Sequence, residues 1–518
     1  MMNFNNVYAS AARTAANMTV TENGHAASST TGSALLDLYG QVGALRGQDE
    51  KRICQLLDLA VAEDRLLATK IMFYARDCRG GTGEREVFRT MLRRMAKIKP
   101  AAVVNNLELI PEFGRWDDLY SISDPEEFGD VAIHVWDFIQ KQLFKDQMAL
   151  AKDKPVSLLG KWLKSCNASS KETRRLGKLT CEQIGYSEKE YRKILKKLRD
   201  QIRIVESQMS AGEWDKIEYD KVPSRAGMIY RGAFRKHDEE RYKAYISSVE
   251  RGEKKINASM NTPQDLVHAY GSDWHMKPED PTIEVMWKNL PDYVKSDENV
   301  LCMVDTSGSM EGRPMEISVG LGMYFAQRNT GAFHNLFMTF ESEPHFFELL
   351  ENLSFHDNLE RAYNAPWGGS TDLNRACSSM LRLALEKKVP QRDMPTRLVI
   401  ISDMEIDSAC PASRMWSESL GRYLLGPGYR KDFSDILHVD ELWEMYEQAG
   451  YRMPQVIYWN VNSRDNHFQT RSDVPGTMLA SGSSPRVFEA VMAMQDYQAT
   501  PYDAMLEVLN GDRYKEVK

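Results

Sequence analysis

The sequence predicts a multidomain protein in which an all-α N-terminal region precedes an α/β domain with a doubly wound sheet. Between residues 33 and about 257, apolar side chains recur at the helical spacing almost throughout. After the proline-containing stretch at residues 277–281, short β-branched runs alternate with helical segments, which is typical of a parallel sheet. At 518 residues, the chain is also too long for one hydrophobic core.

The composition of residues 1–32 predicts a flexible tail. They are rich in Asn, Ala, Ser and Thr and have no apolar run, so they do not resemble a signal peptide. No stretch of the chain reaches the roughly 18 apolar residues that a membrane span needs. The seven cysteines form no CxxC pair, which favours reduced thiols in the cytoplasm over disulfides or a zinc site.

Residues 33–280 form the predicted helical domain. Glu84–Lys97 and Lys189–Val205 each place their apolar side chains on one helical stripe, and glycine- or proline-containing turns separate such segments. Short helices joined by short loops indicate stacked helix pairs, although no exact repeat period is present.

Residues 281–518 form the predicted α/β domain. Its strands are expected at Val300–Asp305, Asn335–Phe340, Arg397–Asp403 and Gln455–Val461, and its helices at Pro314–Asn329 and Asp372–Lys388. Ligands of such sheets bind beyond the carboxyl ends of the strands, where this sequence has polar residues.

Oxygen-bearing side chains at these ends predict a site for a small hard cation. Asp305 ends a strand and is followed by Ser307 and Ser309; Thr371 opens a helix, and Asp403 ends another strand. We expect the three hydroxyls to bind the cation directly and the two carboxylates to bind directly or through water. One position would remain for an acidic ligand. The alternative is that these residues only cap turns and helices.

This order of residues resembles the metal-ion-dependent adhesion site of von Willebrand factor A (VWA) domains. The resemblance implies a divalent cation, with Mg²⁺ expected and Mn²⁺ or Ca²⁺ as alternatives. Such sites generally bind and do not catalyse. No Ser/His/Asp arrangement, HExxH or P-loop accompanies the motif, so we do not expect an enzyme. Asp372 and Glu405 are more typical of helix-end and loop carboxylates than of ligands.

The formal net charge of −8 is distributed unevenly. Residues 161–260 carry 24 Lys and Arg against 15 Asp and Glu, whereas residues 261–518 carry 23 against 38. A polyanion, if one binds, is therefore expected to contact the middle of the chain.

Two groups of basic residues are candidates for RNA contact. Arg79 and Arg85 flank a glycine-rich loop, which is either a simple helix–helix turn or a phosphate-contacting loop. The second group surrounds Trp162, and an aromatic ring beside backbone-contacting cations suits RNA; its members are Lys161, Lys164, Lys171, Arg174 and Arg175. The basic face of residues 189–199 is explained equally well as a solvated helix surface. For Asp117 and Asp118, a buried ion-paired corner is favoured.

Longer motifs carry a resemblance to a family. They are RDxRGGxGER at Arg76–Arg85, IPExGRWDDL at Ile110–Leu119, KxEYxxVPSRA at Lys216–Ala226 and ISDMExD at Ile401–Asp407. With the order of the two domains, they resemble the proteins that join a TROVE module to a VWA domain, such as the Ro autoantigen. The strongest similarity is to an uncharacterised TROVE-like family of phages, bacteria and eukaryotes.

That resemblance implies a ring of HEAT-like helical repeats closed by the VWA domain. The ring would bind small or misfolded non-coding RNA in a ribonucleoprotein, and the VWA domain would close the ring or dock a nuclease or another protein. The alternative is a metal-dependent protein-interaction scaffold that binds no RNA. The acidic net charge of the whole chain departs from the basic character on which RNA affinity in Ro proteins depends.

Overall fold

The structure is a computed structural model of the chain. It describes residues 17–24, 26–202, 204–271, 275–294, 299–330, 332–340, 346–365, 373–406, 415–417, 422–424, 438–493 and 498–518. These residues divide into two compact units. One is helical, and the other contains a mixed sheet with helices, so the prediction of a helical region followed by an α/β domain is confirmed.

The helical unit contains residues 66–79, 83–260 and 514–518. Its helices are Arg65–Arg76, Arg85–Ile98, Pro100–Val104, Ile110–Phe113, Pro125–Phe128, Asp130–Leu150, Leu159–Trp162, Lys171–Ile184, Glu188–Ile202, Val205–Ser210, Ser224–His237 and Glu239–Glu250. The two amphipathic helices that the sequence predicts are present within a few residues of the expected bounds. Val87, Phe88 and Met91 of the first are buried, as the stripe requires.

The α/β unit contains the described residues within 1–65, 80–82 and 261–513. Its helices are Ala34–Gln41, Glu50–Glu63, Pro263–Tyr270, Pro281–Lys288, Arg313–Arg328, Phe355–Tyr363, Leu373–Lys387, His438–Gln448, Arg486–Ala493 and Pro501–Asn510. Its strands are β1 (Met18–Val20), β2 (Ala26–Ser28), β3 (Val300–Asp305), β4 (Leu336–Phe340), β5 (Phe346–Glu348), β6 (Arg397–Ser402), β7 (Met415–Ser417), β8 (Arg422–Leu424), β9 (Gln455–Asn460) and β10 (Thr477–Ser481).

Six strands form the main sheet in the order β10-β9-β6-β3-β4-β5. All neighbours are parallel except β5, which is antiparallel at the edge. The four predicted strands correspond to β3, β4, β6 and β9. Strands β3, β6 and β9 are buried along their whole length, which explains why they appear in the sequence as continuous apolar runs.

The prediction of a flexible tail over residues 1–32 is wrong for its described part. Strands β1 and β2 pair as an antiparallel hairpin, and Ser28 exchanges backbone hydrogen bonds with Phe468 at 2.9 Å. The Thr21 hydroxyl is buried and donates to the Ile406 carbonyl at 2.6 Å. Polar composition predicted mobility here, but specific hydrogen bonds to the α/β unit order the segment.

The bounds of the compact units differ from the predicted domain bounds. Residues 33–65 and the described residues of 261–280, which the sequence assigned to the helical domain, pack in the α/β unit, and residues 514–518 pack in the helical unit. A Cβ at Gly40 would lie 2.9 Å from Leu479 of β10, so the Ala34–Gln41 helix sits directly on the sheet. Periodicity predicts that a helix has an apolar face, but it does not say which element that face covers.

None of the helices in the described part of the chain is both long and apolar enough to cross a membrane.

Candidate metal site and basic surface

The carboxyl ends of β3 and β6 meet where the strand order of the sheet reverses. The chain runs from β3 to β4 on one side and later returns to β6 on the other side of β3. In an open α/β sheet, the crevice at such a reversal is the usual place for a ligand. Asp305 ends β3, Ser402 ends β6, and Asp403 follows directly, so the fold brings together two strand ends that are far apart in the sequence.

Asp305 is fully buried, and its two carboxylate oxygens have different partners. Oδ1 accepts a hydrogen bond from the backbone amide of Ser307 at 2.9 Å, and Oδ2 accepts one from the Ser402 hydroxyl at 2.5 Å. Burial, followed by the nearby charge of Asp403, raises the pKa of Asp305 to about 7. This environment disfavours an uncompensated negative charge.

Ser307 and Ser309 lie on the turn after β3, with their hydroxyl oxygens 3.1 Å apart. Ser307 is buried and Ser309 is partly exposed, so the pair lies between the buried carboxylate and the surface. Two hydroxyls beside a carboxylate form an oxygen-only ligand set, which suits Mg²⁺ or Ca²⁺. The described residues therefore fit part of the predicted site. Thr371, the third expected hydroxyl, lies outside the described residues.

Asp403 is also buried, and it already has a cationic partner. The Arg464 Nη2 atom lies 2.5 Å from Oδ2 of Asp403, and the Glu405 amide donates to Oδ1 at 3.2 Å. Met404, between these carboxylates, adopts a left-handed φ of 67°, which redirects the chain after the strand. No sequence motif pointed to Arg464, because this residue follows a different strand, β9.

Glu405 holds the N-terminal segment against this edge of the sheet. Its Oε2 accepts the Glu22 amide at 2.8 Å, and the Nδ1 atom of His467 lies 2.9 Å from Oε1. The Asn23 side chain donates to the Glu405 carbonyl at 2.7 Å. The interpretation of Glu405 as a loop carboxylate agrees with these contacts, since protein groups occupy both of its oxygens.

A second group of possible ligands lies elsewhere in the α/β unit. Ligand atoms of His356, Asp357 and Glu360 lie within 4.8 Å of one another. The His356 Nε2 atom is 3.0 Å from the Lys277 carbonyl, and its Nδ1 atom is 3.3 Å from Asp357. In the neutral ring, donation from Nε2 to a carbonyl leaves the lone pair on Nδ1, the nitrogen that faces Asp357, and metal-bound histidines usually have this arrangement.

The predicted RNA-contacting residues of the helical unit differ in how many partners they have. Arg175 forms two hydrogen bonds with Glu172, at 2.9 and 3.0 Å, and Arg85 donates to Glu86 at 2.7 Å. Arg174 donates to the carbonyls of Ala168 and Ser169, and Arg79 donates to the carbonyl of Glu112. Lys171 is exposed at the start of its helix. Exposed ion pairs of this kind contribute little to stability and exchange readily.

Lys161 and Lys164 lie beside aromatic rings. The Lys161 Nζ atom is 5.6 Å from the centre of the Trp162 ring, and the Lys164 Nζ atom is 5.5 Å from that of Tyr120. Lys164 also lies 3.5 Å from Asp117. Lys164 therefore approaches the edge of the ion-paired corner that the sequence predicted.

That corner is confirmed. Asp118 is fully buried and accepts hydrogen bonds from Nε of Arg76 and from Nε of Arg89, each at 2.7 Å. Asp117 lies 3.1 Å from Nη2 of Arg89. A Cβ at Gly114 would lie 2.4 Å from Asp118 and 2.7 Å from Arg76, so the absence of a side chain at this position lets the backbone reach the ion pair.

Two family models match the chain, one in each half. The model "Domain of unknown function (DUF2828)" matches residues 21–124 and 119–299, together more than half of the 518 residues. The chain belongs to the DUF2828 family. The matched DUF2828 region includes all of the predicted RNA-contacting residues. A second model, "Domain of unknown function (DUF7788)", matches residues 299–516 and includes the candidate metal site.

A viral protein is similar along nearly the whole length. "Uncharacterized protein L728" of Acanthamoeba polyphaga mimivirus is 27% identical over 529 residues, which cover 95% of this chain and 87% of the viral protein. The similarity therefore extends through both the DUF2828 and DUF7788 regions.

Proposed function

We propose that this protein is an RNA-binding scaffold whose α/β unit holds a divalent cation. The helical unit would bind small or misfolded non-coding RNA on its basic surface. The cation would serve to dock a protein partner, with a nuclease as one candidate, or to connect the α/β domain to a ring of HEAT-like repeats. On this proposal the protein is a cytoplasmic, non-enzymatic component of a ribonucleoprotein.

The observation that carries the cation site is the convergence of Asp305, Ser307 and Ser309 at the reversal point of the sheet. The two hydroxyls lie 3.1 Å apart, and the Ser307 amide fixes the orientation of the Asp305 carboxylate. This arrangement supports a VWA-type adhesion site, because such a site requires a carboxylate and two hydroxyls on one turn. A cation bound there would keep one position for an acidic group of a partner.

RNA binding is supported by the concentration of cations in the helical unit. The segment from residue 161 to residue 260 carries 24 Lys and Arg against 15 Asp and Glu, although the whole chain is acidic. Lys161, Lys171 and Arg174 have no ion-pair partner among the described residues, so their charges remain available for phosphates. The partly exposed Trp162 ring beside Lys161 offers a stacking surface of the kind that single-stranded RNA uses.

A metal-dependent protein-interaction scaffold without RNA is the second candidate. It is favoured by the pairing of Arg85 with Glu86 and of Arg175 with Glu172, which lowers the net charge of the predicted surface. In this case the helical unit would dock a protein.

Purified full-length protein, freed of nucleic acid, distinguishes the two candidates. Its binding to a structured non-coding RNA is measured by filter retention or fluorescence anisotropy over a range of salt concentrations. RNA binding should weaken steeply with salt, because each neutralised phosphate releases counterions. The variant that reverses Lys161, Lys164, Arg174 and Arg175 to Glu should lose this binding. If the wild type shows no salt-sensitive RNA binding at about 100 mM salt, where charges still interact over about 10 Å, the second candidate replaces the first.

A further inference from the structure

We infer that the half-buried Arg115–Trp162 pair of the helical unit marks a phosphate-binding site, with Arg76 and Lys161 as its other cations. The inference deepens the proposed RNA binding and rests on it for the larger ligand. It is nevertheless carried by a separate group of contacts. Lys161 and Trp162 belong to the surface that the sequence predicted, whereas Arg76 and Arg115 do not.

Arg115 is held by stacking and not by an acid. Its guanidinium carbon lies 4.6 Å from the centre of the Trp162 ring, a cation–π contact. The guanidinium has no hydrogen bond or ion pair with any described residue, although it is only partly exposed. Burial, followed by the charge of Arg76, lowers the pKa of Arg115 from its ordinary value. The planar guanidinium of Arg115 thus has five N–H groups that donate to no described acceptor.

Arg76 supplies a second unsatisfied donor. Its Nε atom donates to Asp118, but its Nη2 atom is buried and has no hydrogen-bond partner. The Gly114 backbone packs against this guanidinium, so Arg76 lies next to the backbone that leads into Arg115. A buried guanidinium nitrogen without an acceptor is costly, and an anion at this place would satisfy it.

The local charges do not balance. Asp117 and Asp118 face the cations of Arg76, Arg89, Arg115 and Lys164, and Glu86 adds a third carboxylate 3.6 Å from Arg89. Lys161 adds another cation, and it has no ion-pair partner among the described residues. Excess positive charge at partly desolvated side chains selects a multiply charged anion with several acceptor oxygens, which is the chemistry of a phosphate group.

Hydrogen bonds from Arg199 hold the loop that carries Trp162 and Lys161 in place. Arg199 donates to the carbonyls of Gly160 and Leu163, at 3.0 and 2.9 Å, and to the Ser165 hydroxyl at 3.1 Å. A Cβ at Gly160 would lie 2.7 Å from Leu198, so the loop sits directly on the Glu188–Ile202 helix. The sequence grouped Arg199 with the exposed basic face of that helix, but its guanidinium turns inward. A rigid loop presents the cations without an ordering cost at binding.

Calorimetric titration of the full chain at fixed ionic strength tests the site with three probes. These are inorganic phosphate, a short oligouridine with a 5′-hydroxyl, and the same oligouridine with a 5′-phosphate. Arg115→Gln should weaken phosphate binding by at least about tenfold, because it removes a charge-assisted donor fork. Arg115→Lys should give an intermediate loss, since it keeps the charge and loses the fork.

Matched variants keep the test independent of folding. Lys161→Gln removes a cation that has no ion pair, so it should weaken phosphate binding several-fold without a change in thermal stability. Lys196→Gln removes the same charge from the exposed face of the neighbouring helix and should leave phosphate binding unchanged. If the wild type binds no phosphate, or if Arg115→Gln and Lys161→Gln both bind it as the wild type does, the inference is overturned.

The two oligouridines show which kind of phosphate the site binds, and they test this inference separately from the proposal of RNA binding. If Arg115→Gln weakens the binding of both oligouridines, the site binds phosphodiesters of the RNA backbone. If it weakens only the binding of the oligouridine with a 5′-phosphate, the site binds a terminal phosphomonoester. If Arg115→Gln binds both oligouridines as tightly as the wild type does, this inference is overturned, whereas the proposal of RNA binding is retained. Arg115-dependent binding of inorganic phosphate without any oligouridine binding supports the inference and overturns the RNA proposal.

Discussion

The Ser402 hydroxyl donates a hydrogen bond of 2.5 Å to Asp305, and so connects the ends of two neighbouring parallel strands. The same hydroxyl oxygen accepts the Met404 amide at 3.0 Å. Ser402 thereby fixes both the carboxylate at the end of β3 and the turn that leads to Asp403. The candidate metal site is built on this connection, because it sets the positions of both buried carboxylates.

Ser307→Ala should abolish Mg²⁺ and Mn²⁺ binding while the fold remains intact. The substitution removes one hydroxyl ligand, and the backbone amide that orients Asp305 is unchanged. Calorimetry with each metal measures the loss, and circular dichroism checks the fold. Asp305→Ala is less suitable, because it would leave the Ser402 hydroxyl and the Ser307 amide without an acceptor at a buried position, which costs about 1–3 kcal/mol.

The control is Ser187→Ala in the helical unit, which removes an exposed hydroxyl bonded to Glu190. It should leave metal affinity unchanged. Metal affinity equal to that of the wild type in Ser307→Ala would contradict the assignment of the site.

Arg464→Ala should raise the affinity for a divalent cation. Arg464 lies 2.5 Å from Asp403 and neutralises a carboxylate that the cation would otherwise attract. Removing this competing charge should strengthen Mg²⁺ binding by about threefold, equivalent to ~0.7 kcal/mol. The control is Arg471→Ala, which breaks an exposed pair with Asp473 and changes the net charge equally. Weaker Mg²⁺ binding in Arg464→Ala would show that Arg464 supports the site instead of competing with the cation.

Thr21→Val should destabilise the α/β unit by about 1–3 kcal/mol. The Thr21 hydroxyl is buried and donates to the Ile406 carbonyl, and valine keeps the shape but leaves that carbonyl without this donor. Urea unfolding measures the change. Thr19→Val, at a neighbouring position whose hydroxyl has no such bond to a described residue, should change stability by less than about 0.5 kcal/mol. Equal stability of the two variants would indicate that the N-terminal segment is not bound as the structure has it.

Asp118→Ala should destabilise the helical unit by about 3–5 kcal/mol. It removes the acceptor of Arg76 and Arg89 at a fully buried position and leaves their charges uncompensated. The control is Asp137→Ala, which breaks an exposed pair with Lys141 and should cost less than about 1 kcal/mol. A loss of stability in Asp118→Ala no greater than in the control would mean that the cluster is not buried in solution.

The sequence by itself determined the two kinds of architecture and much of the candidate site. Strand β3 has the predicted bounds, and β6 and β9 end within one residue of them, because a fully buried parallel strand must be apolar along its whole length. Asp305, Ser307 and Ser309 are close in the chain, so their spacing alone predicts that they share one turn. The acidic pair at 117–118 was recognisable because adjacent carboxylates beside arginines are typical of a buried ion-paired corner.

The tertiary structure decided which distant segments complete each feature. Arg464 reaches Asp403 from the end of another strand, Glu405 fixes the segment around Glu22, and Arg199 turns inward to hold the loop of Trp162. The same is true of the unit bounds, since residues 17–65 pack with a sheet whose first main strand begins at Val300. Local periodicity and motif spacing contain the preferences of a segment for helix, strand or turn. They do not specify which residue, hundreds of positions away, forms a given hydrogen bond or covers a given apolar face. That choice depends on the packing of the whole unit.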